Sequence, residues 1–139
     1  MLLIHLILQI YNYKNISMSE SEKLVIISTT GPENQEKATL PFVIATAAQT
    51  VDAEVVLILQ ASAVLLAKKG LAENVNAQGL MPLKKLMDTF IELGGKLLLC
   101  SPCIKERQIK EEELVAGSKL IAAGTVVEEV LSAKAVLTY

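Results

Sequence analysis

The 139-residue chain has two cysteines, and only two residues separate them: Cys100-Ser101-Pro102-Cys103. Thiols at this spacing can close a disulfide if the backbone turns between them. They can also divide labour in sulfur exchange: one thiolate attacks or carries sulfur, and the other resolves the mixed disulfide or persulfide. A secreted disulfide scaffold would use more cysteines, spread along the chain. Zinc takes four ligands, and this pair supplies two thiols without a dependable histidine, so a metal would need a site shared between subunits. Plain packing of two small side chains is the remaining alternative. The single histidine, His5, lies far upstream in an apolar N-terminal stretch. No Cys-His or Ser-His-Asp catalyst can be assembled without it.

The place of the pair matters as much as its spacing. KLLLC, Lys96 to Cys100, reads as a buried strand, and Ser101-Pro102 stops it and opens a short helix with Ser101 as its cap. Ligands of open α/β sheets gather beyond the carboxyl ends of the strands, so Cys100 stands at a favoured address. Positive charge and free amides at a helix start favour the thiolate, which is the reactive form. Lys105 and Arg107 would add to this if they turned inward. Thr30 and Gly31 follow another predicted strand, and their loop could face the same sheet end and hold an anion on its amides. A plain turn is the simpler reading there, because the glycines of a phosphate-binding loop are missing. Neither Asp52 nor Asp88 pairs with a second carboxylate, so spacing alone names no acid/base couple.

Five strands are needed to position this site, and the chain supplies five candidates: 23–29, 53–59, 96–100, 119–122 and 133–139. Helical patterns alternate with them. The first covers 33–50, where Leu40, Phe42, Val43, Ile44 and Ala47 form one broad face. Pro41 is awkward there, and starting the helix near Ala38 would place it in the first turn. A short helix over 63–69 has Ser62 as a candidate cap and Gly70 as its stop. Pro82 opens a helix on which Leu83, Leu86, Met87 and Phe90 recur at core spacing, and Gly94-Gly95 ends it. Gly79 to Pro82 could line the pocket, but reads first as the loop entering that helix. Thr125 and Glu128 have capping-box spacing for a last helix over 126–132. Strands alternating with helices imply an α/β fold, with a parallel sheet between two helical layers.

Composition agrees with this. Hydrophobic residues make up 52% of the chain but aromatics only 4%, so the core must be aliphatic, as in buried parallel strands. The formal net charge of -2 gives no reason to expect a nucleic-acid partner. The mixed-charge run from Lys105 to Glu113 reads first as a solvated face and second as a docking site for a partner carrier. Met1 to Ile10 is apolar but short of the roughly 20 residues that cross a bilayer. It also lacks the basic start and cleavage site of a signal peptide. The expectation is a cytoplasmic protein without a membrane span. Met18 is the expected true start, making residues 1–17 an upstream extension and 18–139 the single domain. The alternatives for the extension are a short anchor or an extra edge strand.

Three segments together resemble the DsrE/DsrF-like family. They are KLVIISTTGPENQEKATLPFVIATAAQTVDAEVVLIL, the region GGKLLLCSPCIKERQIKEEEL, and the end LVAGSKLIAAGTVVEEVLSAKAVLTY. The resemblance spans Glu22 to Tyr139. It implies a three-layer α/β/α sandwich with a five-stranded, mostly parallel sheet, assembled as trimers, hexamers or related oligomers. It also implies sulfur relay, with a persulfide or thiosulfonate held on a cysteine after a strand. That cysteine corresponds to Cys100, and the family's arginine to Arg107. Cys103 departs from the pattern, which leaves the roles open between a sulfur carrier with a resolving thiol and a dithiol that cycles through a disulfide. A module without turnover is the third possibility. A sulfur-carrier protein would be the natural partner, and the chemistry requires neither metal nor organic cofactor.

Overall fold

The computed structural model describes residues 1–16 and 21–139. Five strands form one sheet: β1 (Lys23–Ser28), β2 (Glu54–Leu59), β3 (Lys96–Cys100), β4 (Ser118–Ile121) and β5 (Ala135–Thr138). Their order is β4-β3-β2-β1-β5, and every neighbouring pair is parallel. The helices are α1 (Leu2–Ile16), α2 (Gln35–Gln49), α3 (Leu83–Glu92), α4 (Ser101–Glu106) and α5 (Ala123–Leu131). Short 3-10 helices cover Ala61–Ala67, Ala72–Asn74 and Glu111–Glu113.

The strand order decides which helix covers which face. From β1 to β4 the chain steps across the sheet in one direction, so right-handed crossovers put α2, α3 and α4 on the same side. From β4 it returns to the far edge, beyond β1, so the same handedness puts α5 on the other side. Packing agrees. Phe42 of α2, Phe90 of α3 and Ile104 of α4 share one buried cluster with Ile26, Leu57 and Leu99. Val126 and Val130 of α5 pack instead against Val25, Val56, Ile58, Leu98 and Ile121. The result is a three-layer α/β/α arrangement whose second helical layer is thin. Because the chain leaves β3 toward one face and leaves β4 toward the other, the sheet has a topological switch point beside Cys100.

Several local expectations need correction. Helix α2 begins at Gln35, with Asn34 Oδ1 accepting the Lys37 amide at 3.0 Å, so Pro41 lies well inside the helix. It deprives the Lys37 carbonyl of its helical partner, yet the helix runs on because Ala38, Phe42 and Ala45 are fully buried. The inward face is therefore set by those residues and Pro41, while Ala47 is exposed. Ser62 does not cap a helix: the segment is a 3-10 helix that follows Gln60, and the Ser62 hydroxyl is engaged elsewhere. Neither Ser101 nor Thr125 caps its helix. Helices α4 and α5 start directly where the strands end, with Cys100 and Ala122 at the cap positions and no side-chain cap bond. The segment read as a possible extra edge strand is helical, and the side chains of Met1 to Tyr11 are exposed. Met18 lies outside the described residues. Among the described residues, no helix is long and apolar enough to cross a membrane.

Candidate functional site

Three loops meet beyond the carboxyl ends of β1, β2 and β3. The β3 loop brings the thiols: the Sγ atoms of Cys103 and Cys100 lie 2.7 Å apart, and both cysteines are free and partly exposed. One turn of α4 produces this contact, since Cys100 stands at its cap and Cys103 in its first turn. The β2 loop adds a donor. The Ala61 amide points at Cys103 Sγ, 3.2 Å away. Ala61 has φ +50°, a left-handed conformation that costs a non-glycine residue about 1–2 kcal/mol.

The β1 loop locks the β2 loop in place. The Gly31 amide divides itself between Ser62 Oγ at 3.1 Å and Glu33 Oε1 at 3.0 Å. The Ser62 hydroxyl in turn donates to the Glu33 carboxylate. The two loops approach so closely that a Cβ on Gly31 would stand 2.2 Å from the Ser62 carbonyl oxygen. Only glycine fits that contact. Arg107 closes the group from α4, donating from Nη1 to the Cys103 carbonyl at 3.1 Å.

Electrostatics separate the members. Burial pushes the Cys100 thiol above its ordinary value, and the Cys103 side chain adds to the effect. The Cys103 backbone amide and the Arg107 charge pull the other way without cancelling it. For Glu33, partial desolvation acts upward. The Ser62 hydroxyl, the amides of Glu33 and Gly31, and the Arg107 guanidinium outweigh it and hold the carboxyl below its usual range. Burial thus makes the Cys100 thiol hard to ionise, and its alkylation in a Cys103→Ser protein should accelerate only above the ordinary thiol value of 9.0. The linked stability has a definite sign. A raised folded value favours the protonated thiol, so this contribution is complete below the unfolded thiol's value and disappears as the pH rises through the folded one. The urea midpoint of the wild type should therefore drop more steeply at alkaline pH than that of Cys100→Ser. Equal slopes would contradict the assigned burial effect.

Of the candidates named from sequence, Cys100, Cys103, Arg107 and Gly31 come together in this group. Thr30 is half-buried in the same loop, and Lys105 is exposed on α4. Among the described residues, neither makes a hydrogen bond to a thiol. The Gly31 amide is occupied by its internal partners. Ala61 and Ser62 were not legible as site residues, and Glu33 only as a member of the loop after the first strand, because only the pairing of β1 with β2 brings the two loops together. Gly79, Leu80 and Met81 line an apolar groove of about 580 Å3 against Val43, Ala47 and Leu86, and the cysteines are not part of its lining. Among the described residues, no three metal-ligating side chains cluster.

A family model described as DsrE/DsrF-like matches residues 22–139. The chain belongs to the DsrE/DsrF-like family. An uncharacterized protein of Methanocaldococcus jannaschii, MJ0989, is 31% identical over 117 residues, covering 84% of this DsrE/DsrF-like chain and 99% of that protein. Among solved structures, the ychN protein from E. coli superposes with a TM-score of 0.72 at 22% identity, covering 85% of this chain and 99% of its own. A conserved protein of unknown function from Bacteroides thetaiotaomicron gives a TM-score of 0.64 at 16% identity, with coverages of 88% and 98%. Likeness at these identities concerns the DsrE/DsrF-like fold, and the chemistry must be argued from the thiols themselves.

Proposed function

We propose that this DsrE/DsrF-like chain handles sulfur, taking a sulfane sulfur onto a cysteine of the Cys100–Cys103 pair and passing it to an acceptor thiol. The single observation that carries the reading is the 2.7 Å approach of two free thiol sulfurs at a strand end. Membership of a family associated with sulfur relay supports it. With thiosulfate as donor, a cysteine thiolate attacks the outer sulfur and forms a persulfide. The donor's sulfur–sulfur bond breaks, and sulfite leaves with the electron pair. An acceptor thiolate then attacks the outer persulfide sulfur, and the cysteine thiolate leaves unchanged. Arg107, whose charge reaches Cys100 and Glu33, favours anionic groups here.

Incubation with thiosulfate or glutathione persulfide, followed by intact mass, tests the reading. The wild type should gain one sulfur atom, and the Cys100→Ser/Cys103→Ser double variant none. An unmodified wild type, or equal uptake by the double variant, rejects it.

The same contact favours a second reading, a dithiol that cycles. Peroxide would take two electrons from the pair, leaving a Cys100–Cys103 disulfide and two waters. Loss of two hydrogens with peroxide, reversed by added thiol, together with no sulfur uptake, would select this reading over the first.

Self-association and a cytoplasmic, reducing setting belong to the first reading as well. Support for self-association is apolar exposure at Val136 and Leu137 of the edge strand β5 and at Val127 and Leu131 of α5. Sedimentation should show a species larger than the 15.0 kDa chain. A single monomeric boundary would remove that part. Recovery of the native protein from a membrane or exported fraction would remove the assigned setting.

A further inference from the structure

We propose that Cys103, rather than Cys100, bears the transferred sulfur, and that the Ala61 amide holds its anion in a loop fixed by Gly31, Ser62 and Glu33. The inference rests on the sulfur-handling reading and assigns roles within it.

Three observations separate the two thiols. First, the β2 loop delivers an amide to Cys103 Sγ at 3.2 Å, and a backbone N–H aimed at a sulfur favours its anion over the neutral thiol. Second, that amide is aimed at a cost. Ala61 stays left-handed at φ +50°, a conformation that persists only where the surroundings impose it. Third, the surroundings that impose it are visible. The residue after Ala61 is Ser62, whose hydroxyl donates to Glu33 and accepts from Gly31, while its carbonyl rests where a Gly31 side chain would be. A turn that only connected β2 to the next segment would need neither the strained alanine nor the three-residue lock. Cys100 lies on the other side of the sulfur–sulfur contact, and burial favours its neutral thiol.

The chemistry then has an order. Cys103 thiolate attacks the outer sulfur of a persulfide donor, forms a protein persulfide, and expels the donor thiolate with its electron pair. Cys100, which burial favours as the neutral thiol, lies beside the inner sulfur, where the Cys103 thiolate is released once the outer sulfur has passed to an acceptor thiolate. No net oxidant or reductant is consumed.

The test uses glutathione persulfide with the full chain and with Cys100→Ser and Cys103→Ser. Wild-type protein is also loaded, capped with an alkylating agent and fragmented between the two cysteines, so the site is read without any substitution. Added sulfur is expected on Cys103 in the wild type and in Cys100→Ser, with at least about tenfold less on Cys103→Ser. Within Cys100→Ser, Ser62→Ala should slow sulfur uptake at Cys103 by about tenfold, through loss of the loop that aims the Ala61 amide. Ser62→Thr, which keeps the hydroxyl, should restore it. Sulfur on Cys100 in the wild type and in Cys103→Ser overturns the assignment and leaves the sulfur-handling reading standing. An unchanged uptake rate in Ser62→Ala overturns the role of the lock. No uptake by any form of the protein removes the underlying reading and the assignment with it.

Discussion

Gly31→Ala should lose about 1–3 kcal/mol of stability, the usual cost of forcing extra volume into a packed site. The added methyl would sit 2.2 Å from the Ser62 carbonyl oxygen and 2.7 Å from its carbonyl carbon. Both are backbone atoms, so no side chain can swing aside, and the two loops must separate. Separation breaks the Gly31–Ser62 and Gly31–Glu33 bonds and releases the loop that carries the Ala61 amide. The variant should therefore show two defects together: a lower urea midpoint and slower sulfur uptake. A Gly31→Ala protein with an unchanged midpoint would mean that the loops do not touch as described.

Phe90→Ala should be costlier, at about 3–5 kcal/mol. The chain has two phenylalanines, and they meet edge to face, Phe42 against Phe90, with ring centres 6.4 Å apart at 89°. Phe90 is completely buried. Its ring also lies against the backbone of Gly95, where an added Cβ would come within 2.2 Å. Removing the ring leaves a cavity between α2, α3 and the turn into β3 that aliphatic neighbours cannot fill. Chemical denaturation reads the loss directly, and a change under 1 kcal/mol would show that this layer repacks freely.

Much of this architecture was legible because the chain writes its strands in a plain code. LLLC within KLLLC and VVLIL within AEVVLIL are unbroken apolar runs, and the central parallel strands they form are buried on both faces. Leu83, Leu86, Met87 and Phe90 recur at helical spacing, and all four are buried. Helix starts were less legible. A side-chain signal such as Thr125 with Glu128 competes with the simpler constraint that a strand must end and the chain must turn at once. At α4 and α5 the turn decided the start. Pro41 misled for a related reason, since burial of Ala38, Phe42 and Ala45 outweighs one lost hydrogen bond.

The site divided along the same line. Cys100, Cys103 and Arg107 lie within eight residues of one another, so local sequence sufficed to group them. Ala61, Ser62 and Glu33 join them only through the pairing of β1 with β2, in which Ser28 stands beside Leu59. No spacing rule connects Glu33 to a serine 29 residues later. What connects them is the sheet, together with a glycine small enough to let two loops meet.

The most direct measurement compares sulfur uptake from glutathione persulfide by the native chain and by the same chain unfolded in urea at the same pH. If the folded loops create the reactive thiol, the native protein takes up one sulfur faster than the unfolded one, and at a single cysteine. Equal or faster uptake after unfolding, spread over both cysteines, would show that the fold confers no sulfur chemistry on this pair.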